Sequence, residues 1–317
     1  MYELPLAIKI DNLTKTFNNQ IVIDHLNLQI AKKEIVSLLG PNGAGKSTTI
    51  KILATLLKSD DGTAFINGYN IEKDYLEVRK IIGITPQELV LYEELTASEN
   101  LIFFGMMHNH SRKWLKNEAK RILNLLGLAN RNDKVKNFSG GMKRRLNLAI
   151  SIIMDIEVLI LDEPTAGLDP QSQNQVWDIL KDLKTKGKTI ILTTHDMHEA
   201  EVISDRVFIM NNGKIIAKGT PRQLKEMYSN ENILEVIFKN TNQLEDVMKT
   251  FQSLTFVKNV IKESNNKLRI LFEGNMINLT KILNQQYFAD LTEILEMNLR
   301  QTTLEDVFIN LTGRELK

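Results

Sequence analysis

The chain has 317 residues, enough to bury a substantial core and to form two domains. Its 40 basic and 39 acidic residues nearly cancel, which leaves no one-signed field of the kind a dedicated nucleic-acid binder carries, and with no cysteine it has neither disulfides nor thiolate metal sites. The opening MYELPLAIKIDNL lacks the basic and apolar segments of a signal peptide, and no apolar run reaches the ~18 to 20 residues that cross a bilayer, so a soluble intracellular protein is expected.

From Lys9 to Ile30, short alternating stretches around Asn18–Asn19 predict a small antiparallel sheet with polar turns. Between Glu34 and Thr194 the pattern changes: unbroken apolar runs (EIVSLLG, EVLILDEP, TIILTTHD) alternate with helical periodicity. Runs without alternation belong to strands buried on both faces, so this region predicts βα units around a parallel sheet.

The first of these strands leads into GPNGAGKST: Gly40, Pro41, Asn42, Gly43, Ala44, Gly45, Lys46, Ser47 and Thr48. A strand before and a helix after G-x-x-x-x-G-K-[ST] is the context a phosphate cradle requires. Its glycines let backbone N–H groups turn toward phosphate oxygens, and the helix N-terminus adds partial positive charge. Lys46 is expected to reach the β- and γ-phosphates of a nucleotide and the Ser47 hydroxyl to bind Mg²⁺. Beyond them Ile50, Leu53, Ala54 and Leu57 form a one-sided stripe that can pack a helix on the sheet.

Further along, Gln87 in IIGITPQE has two readings: a contact to Mg²⁺ or the attacking water, or an ordinary surface amide. Leu89 to His110 places aromatics beside a helical pattern, and His108 and His110 fall in a polar loop. In NFSGGMKRRLNLAI, Ser139 suits a helix cap, and Gly140 and Gly141 permit close backbone approach to an anion. Met142, Leu146, Ala149, Ile150 and Ile153 then make an apolar stripe, while Lys143, Arg144 and Arg145 lie off it and read as a solvated face.

The run VLILDEP carries Asp162 and Glu163 to the carboxyl end of a buried strand, where ligands of open α/β sheets bind. Asp162 is suited to hold Mg²⁺ through water and Glu163 to polarise an attacking water. Asp169, before Pro170, reads equally as a helix cap. His195 ends TIILTTHD, where it can bond a γ-phosphate; pairing with His198 on a metal is the weaker reading for want of a third ligand.

Arg206 to Pro221 predicts a hairpin closed by Asn-Asn-Gly, with a domain boundary after Ser229, giving domains 1–229 and 230–317. The remainder reads strand (ILEVIFK), helix (LEDVMKTFQ), strand pair (VKNVIKES, KLRILFE), helix (INLTKILNQQ) and strand (LTEILEMNL), the ferredoxin-like βαββαβ order. TTLEDVFINLTG adds a helix with a capping-box start at Thr303 and Asp306 and a closing glycine.

Taken in order and spacing, GPNGAGKST, Gln87, FSGGM, LILDEP, AGLDP and His195 resemble the ATP-binding subunits of ABC transporters, from Lys9 to about Pro221. The tail TTLEDVFINLTGREL is similar to a subgroup, the daunorubicin-resistance-type drug exporters and related lipid or polysaccharide exporters. The resemblance implies a P-loop ABC ATPase fold: α/β with a mixed sheet, an antiparallel β subdomain and a helical subdomain, then a small α+β ferredoxin-like domain for regulation or dimer contact. It implies adenine stacking on Phe17. Two ATPase subunits then face each other head to tail, with Ser139, Gly140 and Gly141 of one touching the γ-phosphate held by the other and Asp169 linking the two sites.

The usual signature is L-S-G-G-Q, so Phe138 and Met142 depart from it, the first as a packing change and the second with loss of an amide. The implied partners are a second ATPase subunit, as a homodimer, and an integral-membrane permease, with the chain cytoplasmic and peripheral at the inner face of the membrane. Leu89 to His110 is the implied seat of the permease's coupling helix. The competing reading is a soluble ABC-type ATPase acting on nucleic acid or ribosomes, which ordinarily carries two cassettes or a long coiled coil; this chain has neither, and no nucleic-acid partner is expected.

Overall fold

A computed structural model describes residues 5–107, 110–154, 156–228, 232–239, 244–264, 266–273 and 294–312. They form two compact units that part at Pro221. The first unit runs β1 (Leu6–Phe17), β2 (Gln20–Ala31), β3 (Ile35–Leu39), α1 (Lys46–Leu53), β4 (Asp61–Ile66), β5 (Tyr69–Asn70), α2 (Tyr75–Ile81), β6 (Ile82–Thr85) and α3 (Ala97–Met106). It continues through α4 (Arg112–Leu125), α5 (Gly140–Ile152), β7 (Val158–Asp162), α6 (Pro170–Thr185), β8 (Thr189–Thr194), α7 (Met197–Ile203), β9 (Arg206–Asn211) and β10 (Lys214–Gly219).

A six-stranded sheet in the order β10-β9-β3-β8-β7-β6 is its centre. All neighbours pair parallel except β10, which returns antiparallel beside β9 through the expected hairpin. Strands β3, β7 and β8 are buried at every residue, which is why their sequences carry no alternation. The register sets Leu39 beside Thr194, Asp162 beside Thr193 and Thr85 beside Leu161. The chain segments leaving β3, β6, β7 and β8 therefore emerge along one edge of the sheet.

A second sheet, in the order β2-β1-β4-β5, is antiparallel. Its β1–β2 hairpin was expected; the addition of β4 and β5 was not. One apolar cluster joins it to α1 and one side of the central sheet, through Ile10, Leu28, Ile50, Leu53, Val36 and Ile160. Helix α1 is shorter than its apolar stripe: it stops at Leu53, Thr55 turns left-handed with φ 59°, and Leu57 packs from beyond the helix.

Helices α3, α4 and α5 pack together over the other side, with Leu101, Leu115 and Leu146 excluded from solvent and each worth roughly 1.5–3 kcal/mol of transfer free energy. Close approach of α3 to α4 depends on Gly105, where a Cβ would stand 2.3 Å from a Leu115 methyl.

The second unit contains α8 (Pro221–Tyr228) from Arg222 onward, β11 (Asn232–Phe238), α9 (Leu244–Gln252), β12 (Val257–Lys262), β13 (Lys267–Phe272), β14 (Ile294–Gln301) and α10 (Leu304–Thr312). Its sheet is antiparallel in the order β12-β13-β11-β14, the ferredoxin-like arrangement of a βαββαβ chain. Leu244, Val247 and Phe251 of α9 bury against Leu234, Val236, Leu268 and Ile270. The expected boundary at Ser229 and Asn230, the helix INLTKILNQQ, the start of LTEILEMNL and the closing Gly313 lie outside the described residues, as does His108.

Candidate functional site

The phosphate loop leaves β3 at Leu39 and enters α1 at Lys46. Two of its glycines are demanded by packing. A Cβ on Gly40 would stand 2.2 Å from the Met210 carbonyl oxygen, and one on Gly45, whose φ is 101°, would stand 2.6 Å from that of Val22. Lys46 is 5 % exposed, and its Nζ donates to the carbonyls of Gly40 (2.7 Å) and Pro41 (3.1 Å). Burial pulls the ammonium below its ordinary pKa, while the charges of Glu163 and Asp162 oppose that shift. Asn42 and Gly43 are exposed, Ser47 and Thr48 half-buried, and Ala44 buried.

Asp162 ends β7 beneath this loop. Its Oδ1 accepts from the Ser47 hydroxyl at 3.0 Å and from the Thr193 hydroxyl at 2.5 Å. Glu163 follows with φ 48°, a left-handed conformation that costs a non-glycine residue roughly 1–3 kcal/mol. That turn is held by its own N–H, which donates to the Thr193 hydroxyl (3.0 Å) and carbonyl (3.2 Å). The carboxylate is then gripped at both oxygens: Gln87 Nε2 donates to Oε2 at 3.2 Å, and His195 Nδ1 lies 3.1 Å from Oε1. With the imidazole proton on Nδ1, His195 is the donor. Gln87 is therefore no ordinary surface amide, and residues 76 and 32 positions from Glu163 meet on one side chain.

Ser139 caps α5 by accepting the Met142 N–H at 3.3 Å, and Ser139 and Gly140 are exposed. Met142 packs at the edge of the helical core, continuing the stripe of Leu146, Ala149 and Ile153. Phe138 is buried, with the Arg131 guanidinium over its ring at 5.4 Å. Asp169 caps α6: its carboxylate takes the Ser172 hydroxyl (2.7 Å) and N–H (3.0 Å), and these bonds hold it below its usual pKa. Phe17 lies half-exposed at the turn of the β1–β2 hairpin, whose Val22 carbonyl abuts Gly45. His198 packs edge-on against Trp177 with ring centroids 5.5 Å apart, and His110 stacks on Trp114.

One expectation fails. The run Lys143–Arg145 is not a solvated face: Arg144 is 6 % exposed, and its guanidinium donates to the backbone carbonyls of Pro164, Gln87 and Glu163. Lys143 pairs with Glu93, and Arg145 donates to the Leu126 carbonyl and Gln175. The loops after β6 and β7 fold over this side of α5 and turn carbonyls toward it, which Arg144 fills, while Arg145 reaches the end of α4 and α6 instead. Asn147, Thr193 and Glu199 also went unnoticed in the sequence. Glu199 is buried, accepts from Thr165 (2.6 Å) and Trp177 (3.1 Å), and has its pKa raised by that burial. Only Arg144 and Asn147 had a visible sign, as polar residues three apart beside the apolar stripe of α5.

Residues 23–166 match the family model described as ABC transporter. The linearmycin resistance ATP-binding protein LnrL of Bacillus subtilis is 36 % identical over 98 % of this chain and 99 % of its own length. The daunorubicin/doxorubicin resistance ATP-binding protein DrrA of Streptomyces peucetius is 34 % identical over 97 % and 92 %. A solved dimeric ATP-binding cassette in a post-hydrolysis state, bound to ADP and Pi, superposes with a TM-score of 0.62 and 28 % identity over 67 % of this chain and 98 % of its own. These similarities give no support to an ATPase acting on nucleic acid or ribosomes. With relatives of this identity matching end to end, the chain belongs to the ABC transporter family, as an ATP-binding subunit that hydrolyses ATP to drive transport.

Proposed function

We propose that this chain powers an exporter of drug-like, lipid or polysaccharide molecules. It would work as one of two ATPase subunits, a homodimer, bound to an integral-membrane permease at the cytoplasmic face of the membrane. The observation that carries the hydrolytic assignment is the Glu163 carboxylate fixed between Gln87 and His195 at the sheet edge that also bears Lys46 and Asp162.

Chemistry then follows from the residues. Phosphate oxygens replace the Gly40 and Pro41 carbonyls as partners of Lys46 Nζ, and the adenine rests on Phe17. Glu163 accepts a proton from a water as that water's oxygen attacks the γ-phosphorus; the bond to the β–γ bridging oxygen breaks and ADP leaves. His195 and Gln87 orient the carboxylate and, at the γ-phosphate, stabilise the charge that builds there. The hard oxygens of Ser47 and Asp162, 3.0 Å apart, suit Mg²⁺, and Gln87, bonded to the adjacent Glu163, would offer it a further oxygen. When bound, that ion would neutralise charge on the β- and γ-oxygens.

Ser139 and Gly140 stand exposed and Gly141 half-buried at a helix N-terminus, available to the nucleotide of the second subunit, and Asp169 is the link between the two sites. A dimer is supported by the dimeric cassette with ADP and Pi. Support for the permease seat comes from an apolar surface: Leu56, Leu89, Val90, Tyr92, Phe103, Met106 and Met107 are all exposed. Beside it is a cavity of about 310 Å³ lined by Leu56, Phe104, Met107, Ile150 and Met154. Leu101, by contrast, is plain core. Among the described residues no helix is long and apolar enough to cross a membrane.

Replacing Glu163 with Gln tests this reading. The amide cannot take the proton, so turnover should fall about 10²–10⁴-fold while ATP binding and an ATP-bound dimer persist. Undiminished turnover in that variant would sink the assignment.

A further inference from the structure

Helix α5 carries two stripes. One is apolar and anchors it in the helical core. The other is polar and buried: Arg144, Asn147 and Ser151, at 6, 2 and 4 % exposure and spaced to share one side of the helix. This second stripe faces the loops that carry the hydrolytic groups. Ser151 accepts from Thr85 at 2.9 Å, at the end of β6. Asn147 donates to the Pro86 carbonyl (3.3 Å) and accepts the Val90 N–H (3.0 Å), which brackets Gln87.

Arg144 bridges the two loops. Nη1 donates to the Gln87 carbonyl, Nη2 to the Glu163 carbonyl and Nε to that of Pro164 at 3.1 Å. Gln87 and Glu163 are already joined at their side chains. Their backbones meet again on one guanidinium, so the pair is held at both ends in a closed ring. No other side chain offers three donors in one rigid plane, and a lysine ammonium cannot reproduce that fork.

Stability alone does not call for a cation here. A buried charge costs desolvation that a well-packed apolar residue avoids, and such replacements are often neutral or stabilising. The residue makes sense if its task is to place its acceptors. We propose that Arg144 is a positioning residue for hydrolysis: it fixes Glu163 and Gln87 of its own subunit through their carbonyls, and so couples that site to Ser139–Gly141 at the head of the same helix. In a head-to-tail dimer those head residues meet the other subunit's nucleotide, so α5 runs from one site to the catalytic carboxylate of the other. This inference rests on the hydrolytic reading of Glu163.

The experiment uses the full chain as dimer, with R144M and R144K beside E163Q. Both Arg144 variants should bind ATP within about threefold of the parent. R144M should lose at least about tenfold in kcat, and R144K should recover part of it, by engaging one or two of the three carbonyls. Mixed dimers locate the effect. With R144M and E163Q on the same subunit, turnover should equal that of E163Q on one subunit alone; with the two on opposite subunits it should fall well below.

A folded R144M with kcat within twofold of the parent overturns the proposal, as does a loss of kcat matched by an equal loss of ATP affinity. If R144M fails to fold, R144K carries the test by the same split of kcat from affinity. Should E163Q itself turn over normally, the hydrolytic reading falls first; normal R144M beside inactive E163Q removes only the positioning role.

Discussion

Thr193 is an unremarkable strand residue in sequence, yet it serves both acids of the site. Its hydroxyl donates to Asp162 and accepts from the Glu163 N–H, the bond that helps hold Glu163 in its left-handed turn. Thr193→Val keeps the shape and suits a strand, but removes both bonds inside a fully buried position. The expected cost is about 1–3 kcal/mol, because an Asp162 oxygen loses a buried donor, and urea unfolding of the parent and variant would measure it. ATPase activity should fall as well, since the Glu163 turn is left to its carbonyl bond to Thr193. A stability change under a few tenths of a kcal/mol would show that water replaces the hydroxyl there. Lys46, Ser47, Asp162 and Glu163 stood out as candidates because each sits in a short motif whose backbone geometry is local. Thr193 was not, because threonine in a strand is commonplace and its partners belong to the next strand.

At the scale of the element, α10 shows how a cap can be more than a cap. The spacing of Thr303 and Asp306 predicted a capping box, and both halves are present: Asp306 Oδ2 accepts the Thr303 N–H (2.9 Å), and the Thr303 hydroxyl accepts the Asp306 N–H (3.4 Å). What the spacing did not reveal is that Asp306 is 5 % exposed and also takes Arg300 at 2.6 and 3.0 Å, with Glu235 bonding the same guanidinium. Removing the carboxylate with Asp306→Ala leaves a part-buried arginine short of its partner, and about 3–5 kcal/mol of the second unit's stability should go with it.

The pH dependence has a definite sign. Burial pushes the Asp306 carboxyl up, but its bonds to Arg300 and Thr303 outweigh that and hold it below 3.8. The unfolded chain therefore binds this proton more readily than the folded one. The ion pair's contribution is complete above pH 3.8 and is lost as pH falls through the lower folded value. Acid unfolding should show the difference between the parent and Asp306→Asn shrinking below that pH; a constant difference would contradict it.

Across the whole molecule, the described residues of the two units form separate apolar clusters, two in the first and one in the second. The residues proposed to bind ATP all lie in the first. Calorimetry should resolve two transitions, of which only the larger moves upward with Mg-ATP, by about 2.7 kcal/mol at a hundredfold excess over Kd. Equal movement of both transitions would mean that they unfold as one.

How much of this was written along the chain follows from the range of each interaction. The phosphate loop, the acids ending β7, the cap of α5 and the buried parallel strands are consequences of neighbouring residues, since a glycine spacing or an apolar run constrains the backbone where it stands. Sequence by itself therefore determined the chemistry available and the kind of fold. Tertiary structure decided the rest. Only the pairing order β3-β8-β7-β6 brings Gln87 and His195 onto the Glu163 carboxylate, and only the fold of two loops over α5 turns Arg144 from an apparent surface cation into a buried bridge. Strand order and the burial of a charge depend on partners far away in sequence, and no local pattern records them.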